Sequence, residues 1–107
     1  MATIKSFTDI QQSRKLAEIL SFESADMCYP FPYEDGDKPL LEQGGFGSTS
    51  CWSLSALLKV IGNIFKYNLD YNGISFILTV GDFEVSNITA VDACYEMILE
   101  LHKLNLL

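Results

Sequence analysis

Apolar residues recur every three or four positions in three stretches of the chain, which is the spacing of one buried face of an α-helix. The central stretch predicts a helix over residues 51–61, with Thr49 or Ser50 as its N-cap and Gly62 or Asn63 as its stop. The recurring apolar residues there are Leu54, Leu57, Leu58, Ile61 and Phe65.

The other two helical stretches lie near the ends of the chain. A helix over residues 9–20 is predicted because Thr8 and Gln11 have the spacing of a capping box. Its apolar face is formed by Ile10, Ala17 and Leu20. A carboxy-terminal helix begins after Thr89, with Asp92 completing a second capping box. Its apolar face is formed by Val91, Cys94, Tyr95, Ile98, Leu101 and Leu104 or Asn105.

The pattern between the second and third helices predicts an antiparallel meander. Asn72 and Gly73 separate two runs rich in aromatic and β-branched residues, which favours a hairpin with a type I′ turn. Gly81 and Asp82 indicate a second turn, into a strand over residues 83–86. The residues expected on one face of the sheet are Ile74, Phe76, Leu78 and Val80.

Residues 23–42 interrupt the periodicity with three prolines and six carboxylates, which favours an irregular loop. Short strands are predicted over residues 27–31 and near Leu40. The chain therefore runs helix, loop, helix, meander, helix, with no β-α-β alternation that would require a parallel sheet. We expect an α+β fold in a single domain, residues 1–107, with three helices packed on a small antiparallel sheet.

The composition fits a folded protein of the cytoplasm. Of 107 residues, 49% are hydrophobic, which is enough apolar surface for a core. No secretory signal is visible, and the apolar run over residues 74–80 is too short to span a bilayer. Cys28, Cys51 and Cys94 form no C-x-x-C pair, so we expect free thiols in a reducing compartment.

The net charge of -7 makes anionic partners unfavourable. A chain with 14 acidic and 7 basic residues is repelled by phosphate backbones and by anionic lipid, so direct binding to nucleic acid or membrane is not expected. An acidic surface can instead bind a basic partner or imitate DNA, although acidity also serves solubility alone.

Cys51 suggests a possible reaction centre. The segment EQGGFGSTSCWSLSALL resembles the papain-like cysteine proteases, with Gln43 as the oxyanion residue, Cys51 as the nucleophile and Trp52 after it. A cysteine hydrolase needs a base, and the chain has one histidine, His102, near the end of the last helix. We therefore expect Cys51 to be a buried packing thiol and keep the Cys51/His102 hydrolase as an alternative.

Two neighbouring segments form the candidate binding surface. The Gly-rich segment, residues 44–49, precedes the second helix, where backbone amides attract anions, but it lacks the phosphate-loop motif and a basic residue. The acidic loop, centred on residues 34–37, lacks the ligand pattern of a calcium site, so we expect neither metal nor cofactor. Trp52 could offer a stacking face to a nucleotide-like ligand. The surface comprises Glu34, Asp35, Asp37, Gly44, Gly45, Gly47, Ser48, Thr49 and Trp52.

Three blocks carry a further resemblance: ESADMCY over residues 23–29, CWSLSALLKVI over 51–61 and AVDACYEMILELHKLNLL over 90–107. In this order they resemble a family of short acidic proteins encoded in phages and mobile elements of Bacteroides-type bacteria. The resemblance implies a biological setting and carries over no catalytic residues. The expected function is a non-enzymatic accessory protein that binds a host protein or small ligand, as a monomer or homodimer, in a counter-defence role. The alternatives are the cysteine hydrolase and an acidic inhibitor that imitates DNA.

Overall fold

The computed structural model describes residues 5–44 and 47–107, and within them the chain forms three α-helices and five β-strands. The helices are α1 (Ile10–Ala17), α2 (Leu54–Gly62) and α3 (Ala90–Lys103). The strands are β1 (Met27–Tyr29), β2 (Thr49–Cys51), β3 (Tyr67–Tyr71), β4 (Phe76–Val80) and β5 (Phe83–Asn87). The predicted α+β fold, with a meander after the second helix, is confirmed.

Two antiparallel sheets make up the β-structure of the described residues. The first consists of β1 and β2, in which Met27 pairs with Cys51 and Tyr29 pairs with Thr49. An isolated bridge between Cys28 and Leu40 extends it, so the strand predicted over residues 27–31 is found over Met27–Tyr29 and the one predicted near Leu40 is a single bridge. The second sheet has the order β3-β4-β5, and α3 packs against β4 and β5.

The first two helices begin later than the sequence predicts. Residues 49–51 form a strand, so α2 starts at Leu54 and its N-cap is Ser53, whose side chain accepts a hydrogen bond from the Ala56 N–H. The cap of α1 is Asp9, which forms a capping box with Gln12, and this helix ends at Ala17. Two pairs in the sequence have the spacing of a capping box for α1, Thr8 with Gln11 and Asp9 with Gln12. Tertiary contacts select the second pair.

The first hairpin forms where it was predicted, with a different turn. A type I′ turn centred on Asn72 and Gly73 would pair Tyr71 with Ile74, but Tyr71 pairs with Phe76. The Asn72 side-chain oxygen accepts hydrogen bonds from the N–H groups of Ile74 and Ser75, and Gly73 has a φ of 92°. Ile74 therefore lies in the turn and not on the inner face of the sheet.

Thr89 caps α3 as predicted, but Asp92 has another role. The Thr89 hydroxyl accepts a hydrogen bond from the Asp92 N–H at 3.0 Å. The Asp92 carboxylate binds Lys5 Nζ at 2.6 Å and Gln12 Nε2 at 2.7 Å, so it joins α3 to the amino-terminal segment and does not complete a capping box. Partial burial would raise the pKa of Asp92, but hydrogen bonds from Lys5, Gln12 and Thr89 and the Lys5 charge hold it below its usual value.

The main core lies between α2, α3 and the inner face of the meander. The fully buried large side chains in it are Leu16, Trp52, Leu57, Ile61, Leu78, Met97, Ile98 and Leu101. A smaller cluster contains Met27, Tyr29 and Cys51 and packs against Phe7 and Ile10. Cys51 and Trp52 are adjacent in sequence, yet they belong to different clusters because successive side chains of an extended segment point in opposite directions.

Candidate functional site

The Cys51 thiol has no solvent-exposed surface and lies among polar groups. Its Sγ is 3.3 Å from the carbonyl oxygen of Thr8 and 3.6 Å from the Thr8 hydroxyl, which in turn is 2.7 Å from the hydroxyl of Ser13. The Tyr29 hydroxyl donates to the same Thr8 carbonyl at 2.8 Å. The expected burial of Cys51 is confirmed, but its surroundings are hydroxyl groups as well as apolar side chains.

The electrostatics of this cluster oppose thiolate formation. Burial raises the pKa of Cys51, and hydrogen bonds with Thr8 and Ser13 only partly offset that effect. Burial also raises the pKa of Cys94, to about 12. A nucleophilic cysteine requires the opposite shift, because the thiolate is the reactive species.

His102 lies at the exposed carboxy-terminal end of α3. Its Nδ1 is 3.1 Å from the carbonyl oxygen of Leu107. The Cys51 thiol instead donates a hydrogen bond to the carbonyl oxygen of Thr8, near the start of α1. Gln43 donates its side-chain N–H groups to the carbonyls of Glu23 and Ala25, so it is committed to holding the backbone at this point. The structure thus places Gln43, Cys51 and His102, the residues that the hydrolase alternative requires, in separate roles.

We expect native Cys51 to resist alkylation by iodoacetamide at neutral pH. All three cysteines are buried, so labelling should require local or global opening of the chain. Mass spectrometry of tryptic peptides should show labelling at Cys51 that is slower than in the urea-unfolded protein by about a hundredfold or more, as a population of open molecules below 1% dictates. Rapid labelling confined to Cys51 in the folded protein would revive the hydrolase interpretation.

The acidic loop and the Gly-rich segment leave the same end of the first sheet. β1 ends at Tyr29 and β2 begins at its partner Thr49, so residues 30–48 connect these two positions. Asp37 closes a turn of the acidic loop by accepting the Glu34 N–H at 2.9 Å. Phe31, which follows β1, lies close to Gly47, which precedes β2: its ring is 3.3 Å from where a Cβ on Gly47 would stand.

The other members of the predicted surface have different positions. Glu34, Asp35 and Gly47 are exposed, whereas Asp37, Gly44, Ser48 and Thr49 are half-buried. Gly45 lies outside the described residues. The part of the chain that the structure describes contains no group of three His, Cys, Asp or Glu residues that could hold a metal ion.

Trp52 does not present a stacking face. Its indole is completely buried in the main core, and its Nε1–H donates to the Ser24 hydroxyl at 2.9 Å. The prediction that Trp52 contributes to a binding surface is therefore wrong. Because β2 is extended, the residue after buried Cys51 points into the main core and not to solvent.

Another concavity among the described residues has a mainly apolar lining, and we call it the apolar groove. It has a volume of about 520 Å³ and is formed where the β3–β4 hairpin meets the amino-terminal ends of α2 and α3. Its apolar lining comprises Leu54, Leu69, Tyr71, Ile74, Phe76 and Ile88. Its polar rim comprises Lys5, Ser6, Ser53, Ser55 and Thr89.

The apolar groove exposes side chains that a core would normally bury. Ile74 is 81% exposed and Ile88 is 74% exposed, and both line the groove together with the exposed Tyr71. On the rim, Lys5 is engaged by Asp92 and by Asp9, which lies 3.4 Å away. Contiguous exposed apolar surface with a polar rim is typical of an interaction site. The sequence contains one signal for it, an isoleucine directly after the Asn-Gly turn, but its proximity to Ile88 depends on the fold.

Two other cavities among the described residues have a lining of mixed polarity, with charged side chains in their walls. One, of about 710 Å³, lies between α2 and residues 21–26, with Glu23, Asp26 and Lys59 in its wall. The other, of about 660 Å³, lies between β5 and α3 and is edged by Asp82, Glu84, Glu96 and Glu100. Neither offers the apolar surface that distinguishes the apolar groove.

Comparison with known proteins adds no relative to these observations. No protein-family model matches the chain, and the searches of curated proteins and of solved structures give no significant match. Within the described residues, none of the helices combines the length and the apolar character needed to cross a bilayer. The case for function therefore depends on the surface of the molecule.

Proposed function

We propose that this chain is a non-enzymatic accessory protein, of phage or mobile-element origin, that binds a host protein through the apolar groove. The observation that carries the proposal is the exposure of Ile74 and Ile88 beside Tyr71 in one concavity. Removing these side chains from water on binding is favourable by about 25 cal/mol per Å² of apolar area. The sequence blocks that resemble phage and mobile-element proteins support the setting.

The chemistry of the surface favours a partner with an apolar anchor flanked by basic residues. The groove accommodates aliphatic or aromatic side chains, and its hydroxyl rim can bond to the backbone beside them. The net charge of -7 attracts a basic partner to the molecule as a whole, and the charged residue in the groove lining, Lys5, is paired with Asp9 and Asp92. A small nucleotide-like ligand is less well supported, because Trp52 is buried and no basic side chain flanks the Gly-rich segment.

The acidic inhibitor that imitates DNA is the competing proposal. Four carboxylates edge the cleft between β5 and α3, and such a row could contact a DNA-binding protein. The two proposals differ in the contact that matters. Binding through carboxylates should be displaced by duplex DNA and weakened strongly by salt, whereas binding through the apolar groove should tolerate salt and fail when Ile74 is made polar.

We expect the Ile74→Ser variant to lose its host partner while keeping its fold. Ile74 is 81% exposed and lies in a turn, so serine removes apolar contact area at little cost to stability. The measurement is quantitative mass spectrometry of proteins captured from an extract of a Bacteroides-type host. Capture of the specific partner should fall about tenfold or more, as expected for truncation of an interface anchor.

Leu41→Ser is the matched control, because Leu41 is 88% exposed and does not line the apolar groove. It should capture the partner as the wild type does. Equal capture by Ile74→Ser and wild type would refute the groove as the contact. Loss of capture on replacing Glu34 and Asp35 by serine, with Ile74→Ser unaffected, would assign the contact to the acidic loop.

A further inference from the structure

Strand β3 is an edge of the meander, and its sequence is nearly symmetric about its centre. It reads Tyr67-Asn68-Leu69-Asp70-Tyr71, with tyrosine at both ends. The residues on either side of Leu69 are an amide and a carboxylate of similar shape. The strand pairs with β4 without a bulge and contains no proline or lysine, features that commonly protect an edge from pairing, and Asp70 is its one charged residue. An edge of this kind is a template for another strand.

The hydrogen-bond phase of the hairpin determines which backbone groups of β3 face outward. The Asn72 N–H donates to the Ser75 carbonyl at 3.2 Å, so this pair is of the hydrogen-bonded type. Hydrogen-bonded pairs alternate along an antiparallel ladder, so Asn68 and Asp70 direct their N–H and C=O groups towards β4. The backbone groups of the three residues at odd positions, Tyr67, Leu69 and Tyr71, point away from the sheet.

We propose that two copies of this chain associate by antiparallel pairing of their β3 strands about a two-fold axis at Leu69. In that register Leu69 faces Leu69 of the second copy and Tyr67 faces Tyr71 of the second copy. Each of the three outward-facing residues donates one backbone hydrogen bond and accepts one. The symmetry of the sequence and the alternation of outward-facing backbone groups along β3 thus both place the two-fold axis at Leu69.

The side chains are complementary in this register on both faces of the sheet. On the open face, Asn68 opposes Asp70 of the second copy, so an amide donor meets a carboxylate twice in the dimer. Within one chain the Asn68 amide already donates to the Asp70 carboxylate, which shows that the two groups are compatible. On the inner face, Tyr67 is 41% exposed and Tyr71 is 58% exposed, and pairing covers both rings with aromatic surface. This proposal goes beyond the proposed function because it concerns the backbone edge of β3, although Leu69 and Tyr71 also line the apolar groove.

Residue-resolved amide exchange by NMR, combined with light scattering, tests the proposal on the wild-type chain. Over a dilution series of about a hundredfold, mass action should convert dimer to monomer. In the dimer, the amides of Tyr67, Leu69 and Tyr71 should be protected, and their protection should fall on dilution. A chain that stays monomeric throughout would overturn the proposal, as would a dimer in which these three amides exchange rapidly or in which β5 gains the protection.

Charge substitution provides an independent test of the register. Asn68→Asp places two carboxylates opposite each other at two positions and should raise the dimer Kd about tenfold. Adding Asp70→Asn restores one amide opposite each carboxylate, so the double variant should recover wild-type association. Ser86→Asp, which adds the same charge to the exposed face of the opposite edge strand, is the control and should change the Kd little. Equal dimer affinity in Asn68→Asp and Ser86→Asp would contradict the register.

Discussion

Replacing Trp52 by alanine is expected to lower the free energy of unfolding by about 3–5 kcal/mol, the cost of removing a large buried aromatic side chain. Trp52 is fully buried in the main core, and its Nε1–H satisfies the Ser24 hydroxyl. A loss of this size removes a large part of the roughly 5–15 kcal/mol that stabilises a typical domain. Urea denaturation should be followed by far-ultraviolet circular dichroism, because Trp52 is the sole tryptophan and the variant loses its fluorescence.

Trp52→Phe is the conservative comparison in this experiment, and Leu41→Ala is its surface control. Phenylalanine keeps most of the apolar volume and loses the bond to Ser24, so its effect should fall between wild type and Trp52→Ala. Leu41 is 88% exposed, and its truncation should change stability by no more than about 0.5 kcal/mol. A Trp52→Ala loss of similar size to that of Leu41→Ala would mean that the indole lies at the surface, as a ligand-stacking role would require.

The second large effect is expected from Thr8→Val, at about 1–3 kcal/mol, because it leaves the buried Trp52 backbone N–H without its partner and removes one of the two hydrogen bonds of Ser13, while preserving the shape of the side chain. The Thr8 hydroxyl accepts the Trp52 backbone N–H at 3.2 Å and is 2.7 Å from the Ser13 hydroxyl. Valine removes both interactions in a site that excludes water. Urea denaturation monitored by tryptophan fluorescence gives the change directly.

Thr8→Ser is the matched control, since serine keeps the hydroxyl and loses one methyl group, worth about 0.8 kcal/mol. We expect Thr8→Val to be the less stable of the two. The reverse order would show that Thr8 acts through its methyl group and that the hydroxyls around Cys51 add little. The Thr8→Val protein should also label faster at Cys51, because local opening becomes more frequent as stability falls.

Sequence periodicity predicts most of the fold because the helices and the meander are built from local patterns. The apolar residues of α3 are buried over most of its length, and Gly81 and Asp82 form the predicted turn between β4 and β5. The missed features depend on distant pairing. The sequence predicts Thr49 or Ser50 as the cap of α2, and the pairing of Thr49–Cys51 with β1 makes Ser53 the cap instead.

The candidate site was less predictable than the fold for the same reason. A Gly-rich segment and a Cys-Trp pair attract attention in the sequence, yet Trp52 is buried on one side of β2 and Cys51 on the other. The apolar groove brings together Leu54 at the start of α2, Ile74 in the hairpin turn and Ile88 before α3. Single exposed isoleucines are ordinary in a sequence, and they indicate a site only when the fold places them side by side.

The most direct test of binding through the apolar groove is hydrogen exchange of the wild-type chain, free and in complex with the host protein that it captures. Our account predicts slower exchange on binding in residues 71–76 and 88–90, which border the groove, and unchanged exchange in residues 33–38 of the acidic loop. Slower exchange in the acidic loop, with residues 71–76 unaffected, would contradict it.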